Sequence, residues 1–182
     1  MTAGSPMFRK LLLAAFLLIL AIVGSLDLLL SRYMAERERE STRQRLLSGA
    51  RILAGEIGAD RNLDLTAWAR GAAARSGYRI TIIDPAGAVL ADSDGDPASM
   101  ENHAGRPEMA AALKGREGSA IRRSATLGRD LLYLAVPLNL NGASGHALRL
   151  AVPLEQVDQA ISEVRRRIWQ VSLLAGLLAL LA

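Results

Sequence analysis

One segment near the N-terminus restricts the fold of this chain more than any other part of its sequence. Residues 11–30 form a run of 20 residues that is apolar except for Ser25 and Asp27. As an α-helix, which rises about 1.5 Å per residue, this run would span roughly 30 Å, the thickness of the hydrocarbon core of a bilayer. The run therefore predicts a transmembrane helix at residues 11–30.

The residues before this run set its orientation. Arg9 and Lys10 precede it, and positive charges stay on the cytoplasmic side, so residues 1–10 are expected in the cytoplasm. A cleaved signal peptide is the alternative, but its apolar core is usually about 7–15 residues long and this run is longer. We favour an uncleaved anchor, with Asp27 as a carboxylate near the outer interface rather than a relay group inside the membrane.

A second apolar segment occupies the other end of the chain. Residues 169–182 begin with Trp169, a residue type enriched at membrane interfaces, and continue with mainly apolar side chains. The apolar part would cover only about 18 Å as a helix, which is too short to cross a bilayer. We expect it to be the start of a second transmembrane helix that this sequence does not complete.

Two helices are predicted between the first apolar run and the first strand. Residues 31–58 are highly charged and helix-prone, and a shorter Ala-rich helix with Trp68 follows them. The longer helix has one apolar stripe at the spacing i, i+4, i+7 and i+11, formed by Leu46, Ala50, Leu53 and Ile57. A single stripe is typical either of a short coiled coil in a dimer or of a helix that packs on a folded domain. The sequence leaves both alternatives open.

A folded domain is predicted at residues 59–153, with a hairpin as its clearest feature. Every second residue from Tyr78 to Ile82 is apolar, the pattern of a strand with one buried face. The segment Asp84–Gly87 has the residues of a type I turn. Residues 88–91 are then expected to form the returning strand.

Three further strands complete the predicted sheet. They are expected at residues 118–126, 131–140 and 147–152. A third helix opens near Pro107, and a last helix covers residues 154–168. Asn141–Gly142 is a hairpin signal, and we expect the connection there to extend to Gly145. The predicted fold class is α+β: an antiparallel five-stranded sheet with flanking helices, bracketed by two transmembrane helices.

Composition and motifs exclude several classes of function. The formal net charge is +4, but the arginines alternate with acidic residues and aromatic residues make up only 4%, which argues against a nucleic-acid surface. The chain has no cysteine and only two histidines, so neither a disulfide framework nor a zinc site is expected. No nucleophile elbow, phosphate-binding loop, HExxH or GxGxxG motif is present, and we expect no catalytic site and no cofactor in this chain.

An acidic loop after the hairpin offers a cation site as an alternative to ordinary turn chemistry. Asp92, Asp94 and Asp96 match the first three ligand positions of a calcium-binding loop. The match then fails, because Gly95 comes two positions too early and His103 replaces the closing glutamate. Turn and capping chemistry is the preferred interpretation, with a weak divalent-cation site as the alternative.

Four fragments in order along residues 65–168 resemble one family. The fragments are RITIIDPAGAVLADSD, MENHAGRPEMAAALKGREG, SATLGRDLLYLAVPL and GHALRLAVPLEQVDQAI. In this order they are similar to the extracytoplasmic region of phosphate-regulon (PhoR-type) membrane sensor histidine kinases, a PAS-like or single-Cache-like sensor domain.

This resemblance implies a function and partners. The chain would be the sensory input half of a two-component histidine kinase in the bacterial inner membrane, with a periplasmic sensor domain, a homodimeric state and a cognate response regulator. ATP and Mg²⁺ would belong only to a kinase domain that this sequence lacks, and neither His103 nor His146 fits the phosphoacceptor role. The alternatives are the sensor half of a chemoreceptor or of a cyclic-dinucleotide enzyme, and a non-signalling, membrane-tethered binding protein.

The resemblance also implies a ligand site between the sheet and the third helix. Three candidates are polar residues of that region, Asn102, His103 and Arg106. Either Arg122 or Arg123 is expected to face the site as well, because strand alternation turns only one of the two inward, and Arg123 is taken as the fourth candidate. Arginine binds carboxylates and phosphates through paired hydrogen bonds, so a small anion is the expected ligand. Alternatively, Asn102 and His103 cap the helix, Arg106 pairs with a loop acid, and the domain senses a membrane protein.

Overall fold

The computed structural model describes residues 6–59, 63–124, 128–154, 166–172 and 174. The chain divides into two units, one of Met1–Glu38 with Gln156–Ala182 and the other of Arg39–Glu155. In chain order the elements are α1 (Pro6–Ala59), α2 (Leu65–Ser76), β1 (Arg79–Ile83), β2 (Val89–Asp92), a 3₁₀ turn (Pro97–Ser99), α3 (Pro107–Leu113), β3 (Gly118–Arg123), β4 (Asp130–Leu140) and β5 (Ala143–Pro153).

The first unit contains the apolar part of α1. By length and composition, α1 is the one helix in the described part of the chain that could cross a membrane. Residues 166–172 are also helical, and the indole of Trp169 lies against Gly24. The Trp169 Nε1–H donates to Asp27 Oδ2 at 3.4 Å, so this carboxylate has a partner. Most of the predicted segments 154–168 and 169–182 lies outside the described residues.

The second unit is built on a five-stranded sheet in the order β2-β1-β5-β4-β3. Every neighbouring pair in this order is antiparallel. The last strand, β5, therefore lies at the centre, between β1 and β4. The predicted fold class, α+β with an antiparallel five-stranded sheet and flanking helices, is confirmed.

A two-residue turn joins β4 and β5. Asn141 has a φ of 53° and Gly142 a φ of 82°, and positive φ at both central residues is what a type I′ hairpin turn requires. Leu140 pairs with Ala143 directly across this turn. The expected extension of the connection to Gly145 is therefore wrong, because the Asn-Gly pair closes the hairpin without further residues.

One face of the sheet packs on α1 and α2. The apolar stripe of α1, Leu46, Ala50, Leu53 and Ile57, is buried there. Its partners in the core include Ile80 of β1, Leu134 of β4 and Leu150 of β5. Trp68 of α2 packs half-buried against the same core. Of the two alternatives for the stripe, packing on the domain is the one observed.

The other face of the sheet is covered in part by α3. Met109 and Ala112 of α3 pack with Ile83 of β1 and with small residues of β4 and β5. Strand β1 was expected to bury one face only, but both its faces are buried because α3 lies on the second. The approach is closest at Gly118 of β3, where an added Cβ would overlap the carbonyl oxygen of Glu108. A cavity lies beside α3 on this face.

Candidate functional site

The cavity has a volume of about 580 Å³, within the size range of small-molecule sites. Its walls come from β1, from the chain between β2 and α3, and from β3, β4 and β5. Two lining residues, Asp94 and Glu101, are acidic, and both are exposed. The basic lining residues are Arg79, His103, Arg106, Arg122, Arg123 and Arg149. Because arginines outnumber acids on its walls, the cavity favours a negatively charged occupant.

The strand register explains which side chains face this cavity. Directly paired residues of an antiparallel sheet lie on the same face, and alternate residues of one strand share a face. Thr81 pairs with Arg149, and Tyr133 pairs with Ala120. Arg122, two residues beyond Ala120, therefore lies on the face of Tyr133. Of the two neighbouring arginines of β3, Arg122 is thus the inward one.

Arg79 is neutralised by a buried carboxylate. Its Nη2 lies 3.1 Å from Asp92 Oδ1, and its Nε donates to the same oxygen at 3.2 Å. Asp92 also accepts from the Thr81 hydroxyl at 2.7 Å and from the backbone N–H groups of Asp94 and Gly95 at 2.9 and 3.1 Å. Asp92 therefore fixes the loop after β2 and cancels the charge of Arg79.

The carboxylates of the acidic loop make turn and capping contacts. Asp96 accepts from the Ala98 amide at the start of the 3₁₀ turn, and Asp94 accepts from the Ser93 hydroxyl at 2.6 Å. Asp92 is held by Arg79, as described above. Within the described ranges, no group of three or more histidine or acidic side chains is arranged to hold a metal ion. These contacts favour the turn interpretation of this loop over the cation site.

Two arginines that line the cavity share one carboxylate, which is buried and does not itself line the cavity. Glu108, in the first turn of α3, is 0% exposed, and its Oε1 accepts from Arg122 Nη2 at 2.8 Å. Arg149 Nη1 lies 3.5 Å from the same oxygen, and Arg149 Nη2 donates to Thr81 Oγ1 at 3.0 Å. The guanidinium of Arg122 also lies 3.8 Å from the centre of the Tyr133 ring, in cation–π geometry.

Arg149 remains a cation although it is 3% exposed. Burial lowers its pKa to about 10, and the negative charge of Glu108 acts in the opposite direction. A pKa near this value leaves the guanidinium protonated at neutral pH. One guanidinium of the cavity wall is therefore charged at neutral pH.

His103 is neutral at neutral pH. It is 6% exposed, and burial, with the nearby positive charges of Arg149 and Arg106, lowers its pKa to about 4. Its ring can therefore act as a hydrogen-bonding group but adds no charge to the cavity wall.

Arg106 is the residue before α3, and its side chain makes no capping hydrogen bond. Its guanidinium has no ion pair with any other residue that the structure describes. The alternative in which His103 and Asn102 cap α3, and Arg106 pairs with a loop acid, is therefore wrong. Arg106 is left available to a ligand.

The four predicted binding residues do not all meet in the structure. His103 and Arg106 line the cavity. Arg123 borders it too, but it is exposed and lies on the opposite face of β3 from Arg122, so choosing Arg123 as the inward arginine was wrong. Asn102 is not among the lining residues; its Nδ2 donates to the Ala86 carbonyl at 2.8 Å and its Oδ1 accepts from the Ala104 N–H at 2.9 Å. Asn102 therefore holds its loop against the hairpin turn. A ligand-binding role for these residues stays a prediction.

Sequence reasoning missed Glu108 and Arg149. One signal could have found Arg149, because it is the charged residue in the otherwise apolar segment 147–153 of the sequence, and such a residue is rarely buried without a partner. Glu108 has no comparable signal, since an acidic residue in the first turn of a helix is common.

Several buried polar atoms around the cavity have no hydrogen-bond partner within the described part of the chain. They are His103 Nδ1, Arg106 Nε, Glu108 Oε2, Arg122 Nε and Arg149 Nε. Buried polar atoms are nearly always satisfied by protein, water or a ligand. Their concentration in one place is what we would expect of a binding site.

The domain is similar to sensor domains of known structure. The E. coli DcuS sensor domain matches it with a TM-score of 0.53 and 19% sequence identity, over 68% of this chain and 97% of that one. The sensor domain of the V. cholerae histidine kinase DctB matches with a TM-score of 0.51 and 15% sequence identity, over 72% of this chain and 58% of that one. The ligand-binding domain of the P. aeruginosa amino-acid chemoreceptor PctC, in complex with GABA, matches with a TM-score of 0.52 and 18% sequence identity, over 79% of this chain and 62% of that one. The chain has a Cache/PAS-like sensor-domain fold.

These comparisons establish the fold but not a family. No family model matches the sequence, and no curated protein matches it. The chain spans 58% of the DctB domain and 62% of the PctC domain. Histidine kinases and chemoreceptors both occur among the similar structures, so the fold alone does not separate the two classes.

Proposed function

We propose that this chain is the sensory input region of a membrane signalling protein and that its cavity binds a small anion. The observation that carries the proposal is the group formed by Arg106, Arg122 and Arg149, three guanidiniums that line one cavity, the last two of which pair with the buried Glu108. The sensor-domain fold and the apolar helix at the N-terminal side support the sensory role. A carboxylate or phosphate suits such a site, because guanidinium binds both through paired hydrogen bonds.

Within this class we propose a histidine kinase of the PhoR type. The order of the four sequence fragments supports it, and the similarity to the DctB sensor domain is consistent with it. The protein would be a homodimer in the bacterial inner membrane, with a periplasmic sensor domain and a response regulator as its downstream partner. A chemoreceptor is the second candidate, supported by the similarity to PctC. A kinase core encoded after residue 182 would favour the first candidate, and its absence would count against it.

Anion binding should depend on Arg106. The full chain, reconstituted in nanodiscs, would be titrated calorimetrically with acetate, succinate and inorganic phosphate. We expect at least one of them to bind, and Arg106→Ala to weaken that binding by about tenfold or more, because a charge-assisted hydrogen bond contributes about 1.5–3 kcal/mol. Arg116→Ala removes an exposed arginine that does not line the cavity and is the matched control. An absence of heat with all three anions, or equal losses in both variants, would rule out this anion site.

A further inference from the structure

A buried carboxylate of the protein, which does not itself line the cavity, already binds two of the lining arginines. Glu108 is 0% exposed, and its Oε1 lies between Arg122 Nη2 and Arg149 Nη1, at 2.8 and 3.5 Å. Its Oε2 has no hydrogen-bond partner within the described part of the chain. Burying a carboxylate with half of its acceptor capacity unused is unfavourable. Stability alone therefore does not explain why a glutamate is buried at position 108.

Charges around Glu108 are balanced only in part. Arg79 is cancelled by Asp92, and His103 is neutral, as described above. Four lining arginines remain, of which Arg123 is exposed, and Glu108 is the buried counter-charge of Arg122 and Arg149. The acidic lining residues Asp94 and Glu101 are exposed. An anionic ligand would be attracted by the guanidiniums and repelled by the carboxylate of Glu108.

We propose that Glu108 determines the charge selectivity of the cavity, as an internal anion that competes with the ligand for Arg122 and Arg149. This inference rests on the proposed anion site. In the wild-type domain a ligand with one anionic group meets one repulsive charge, and each additional negative charge on the ligand repeats that cost. The cavity therefore discriminates against multiply charged anions more strongly than its arginines alone would suggest.

The size of this effect follows from Coulomb's law. Unit charges separated by several ångströms near a protein surface interact strongly enough to change affinity by about tenfold. Replacing Glu108 by its neutral isostere should then strengthen binding by about tenfold for acetate and by more than that for succinate or the dianion of phosphate, up to about 100-fold where both negative charges lie equally near Glu108. The diagnostic result is the difference between the ligands, since a purely structural role of Glu108 would change their affinities by the same factor.

The test compares wild type, Glu108→Gln and Glu117→Gln in the full chain in nanodiscs at pH 7.5, with the same three anions. Glu117 is the partner of Arg51 outside the cavity, so its substitution makes the same chemical change at a distance. We expect wild-type affinities in Glu117→Gln. If wild type binds an anion and Glu108→Gln changes all affinities equally, the selectivity proposal fails while the anion site stands. If no variant binds any of them, the proposed anion site itself fails.

A second variant covers the case in which Glu108→Gln does not fold. Glu108→Ala leaves a space between Arg122 and Arg149, which free acetate can enter in place of the missing carboxylate. We expect added acetate to raise the melting temperature of Glu108→Ala by more than that of wild type. An equal rise in both proteins would show that the arginine pair does not accept an external anion, and would overturn the proposal.

Discussion

At the residue scale, the lowered pKa of His103 makes the stability of the domain depend on pH. The folded domain protonates His103 only near pH 4, whereas the unfolded chain does so near the ordinary histidine pKa of about 6.5. Between these values the unfolded state binds more protons, so the free energy of unfolding falls as the pH is lowered through this window. Arg106, Arg122 and Arg149 all face the ring and act in the same direction.

Because the unfolded chain takes up a proton at His103, we expect the free energy of unfolding to be about 1–2 kcal/mol lower at pH 5 than at pH 7. The measurement is urea denaturation at both pH values, followed by circular dichroism. His103→Asn should lose this part of the pH dependence, and His146→Asn, a change at the histidine outside the cavity, should retain it. An unchanged pH dependence in His103→Asn would contradict the assignment.

Which site residues could be predicted depended on where their partners lie in the chain. His103 and Arg106 were assigned to the site as polar residues of the segment where the resemblance implies a ligand cavity, and both line the cavity observed. The Glu108–Arg149 pair joins α3 to the central strand. The two residues are far apart in the sequence, so no local sequence pattern predicts their contact. Asn102 was assigned to the site by proximity to His103, but its hydrogen bonds to Ala86 and Ala104 point it elsewhere.

At the scale of elements, the packing of α1 on the sheet gives a direct stability test. Leu46 is fully buried in the core, whereas Ile52 of the same helix is 65% exposed. Leu46→Ala should lower the free energy of unfolding by about 2–5 kcal/mol, because it removes buried apolar volume and leaves a cavity. Ile52→Ala should change it by less than about 1 kcal/mol.

Urea denaturation of the two variants, followed by circular dichroism, checks this prediction. Both substitutions remove a large aliphatic side chain from the same helix, so differences in helix propensity are small beside the burial term. A comparable loss of stability in both variants would contradict the packing of the apolar stripe of α1 against the sheet.

Helices, strands and turns could be predicted from the sequence where a local residue pattern determines the backbone conformation. The hairpin turn was one such case: the Gly87 N–H donates to the Asp84 carbonyl at 3.0 Å, as its sequence predicts. The burial of both faces of β1 was not predictable, because it depends on where α3 packs. The hairpin at Asn141 was predicted too long, since the Asn-Gly signal was given less weight than the small residues after it.

At the scale of the whole molecule, the proposed topology can be tested by labelling. The chain has no cysteine, so single cysteines can be introduced without background. In intact cells a membrane-impermeant maleimide should label Ser144→Cys, at an exposed position of the β4–β5 hairpin, but not Thr2→Cys. Both sites should react after the cells are opened. Labelling of Thr2→Cys alone in intact cells would contradict a sensor domain outside the cytoplasm.

The contact at Gly118 limits the ways in which α3 can respond to whatever fills the cavity. An added Cβ there would collide with the backbone of Glu108 and the side chain of Ala111, so helix and strand touch without a side chain between them. At the C-terminal end of α3, Leu113 packs against the same cluster as Met109, so the helix is anchored to the sheet at both ends of its short length. Packed elements resist continuous deformation. Any side chain larger than hydrogen at position 118 would therefore have to push this helix off the sheet.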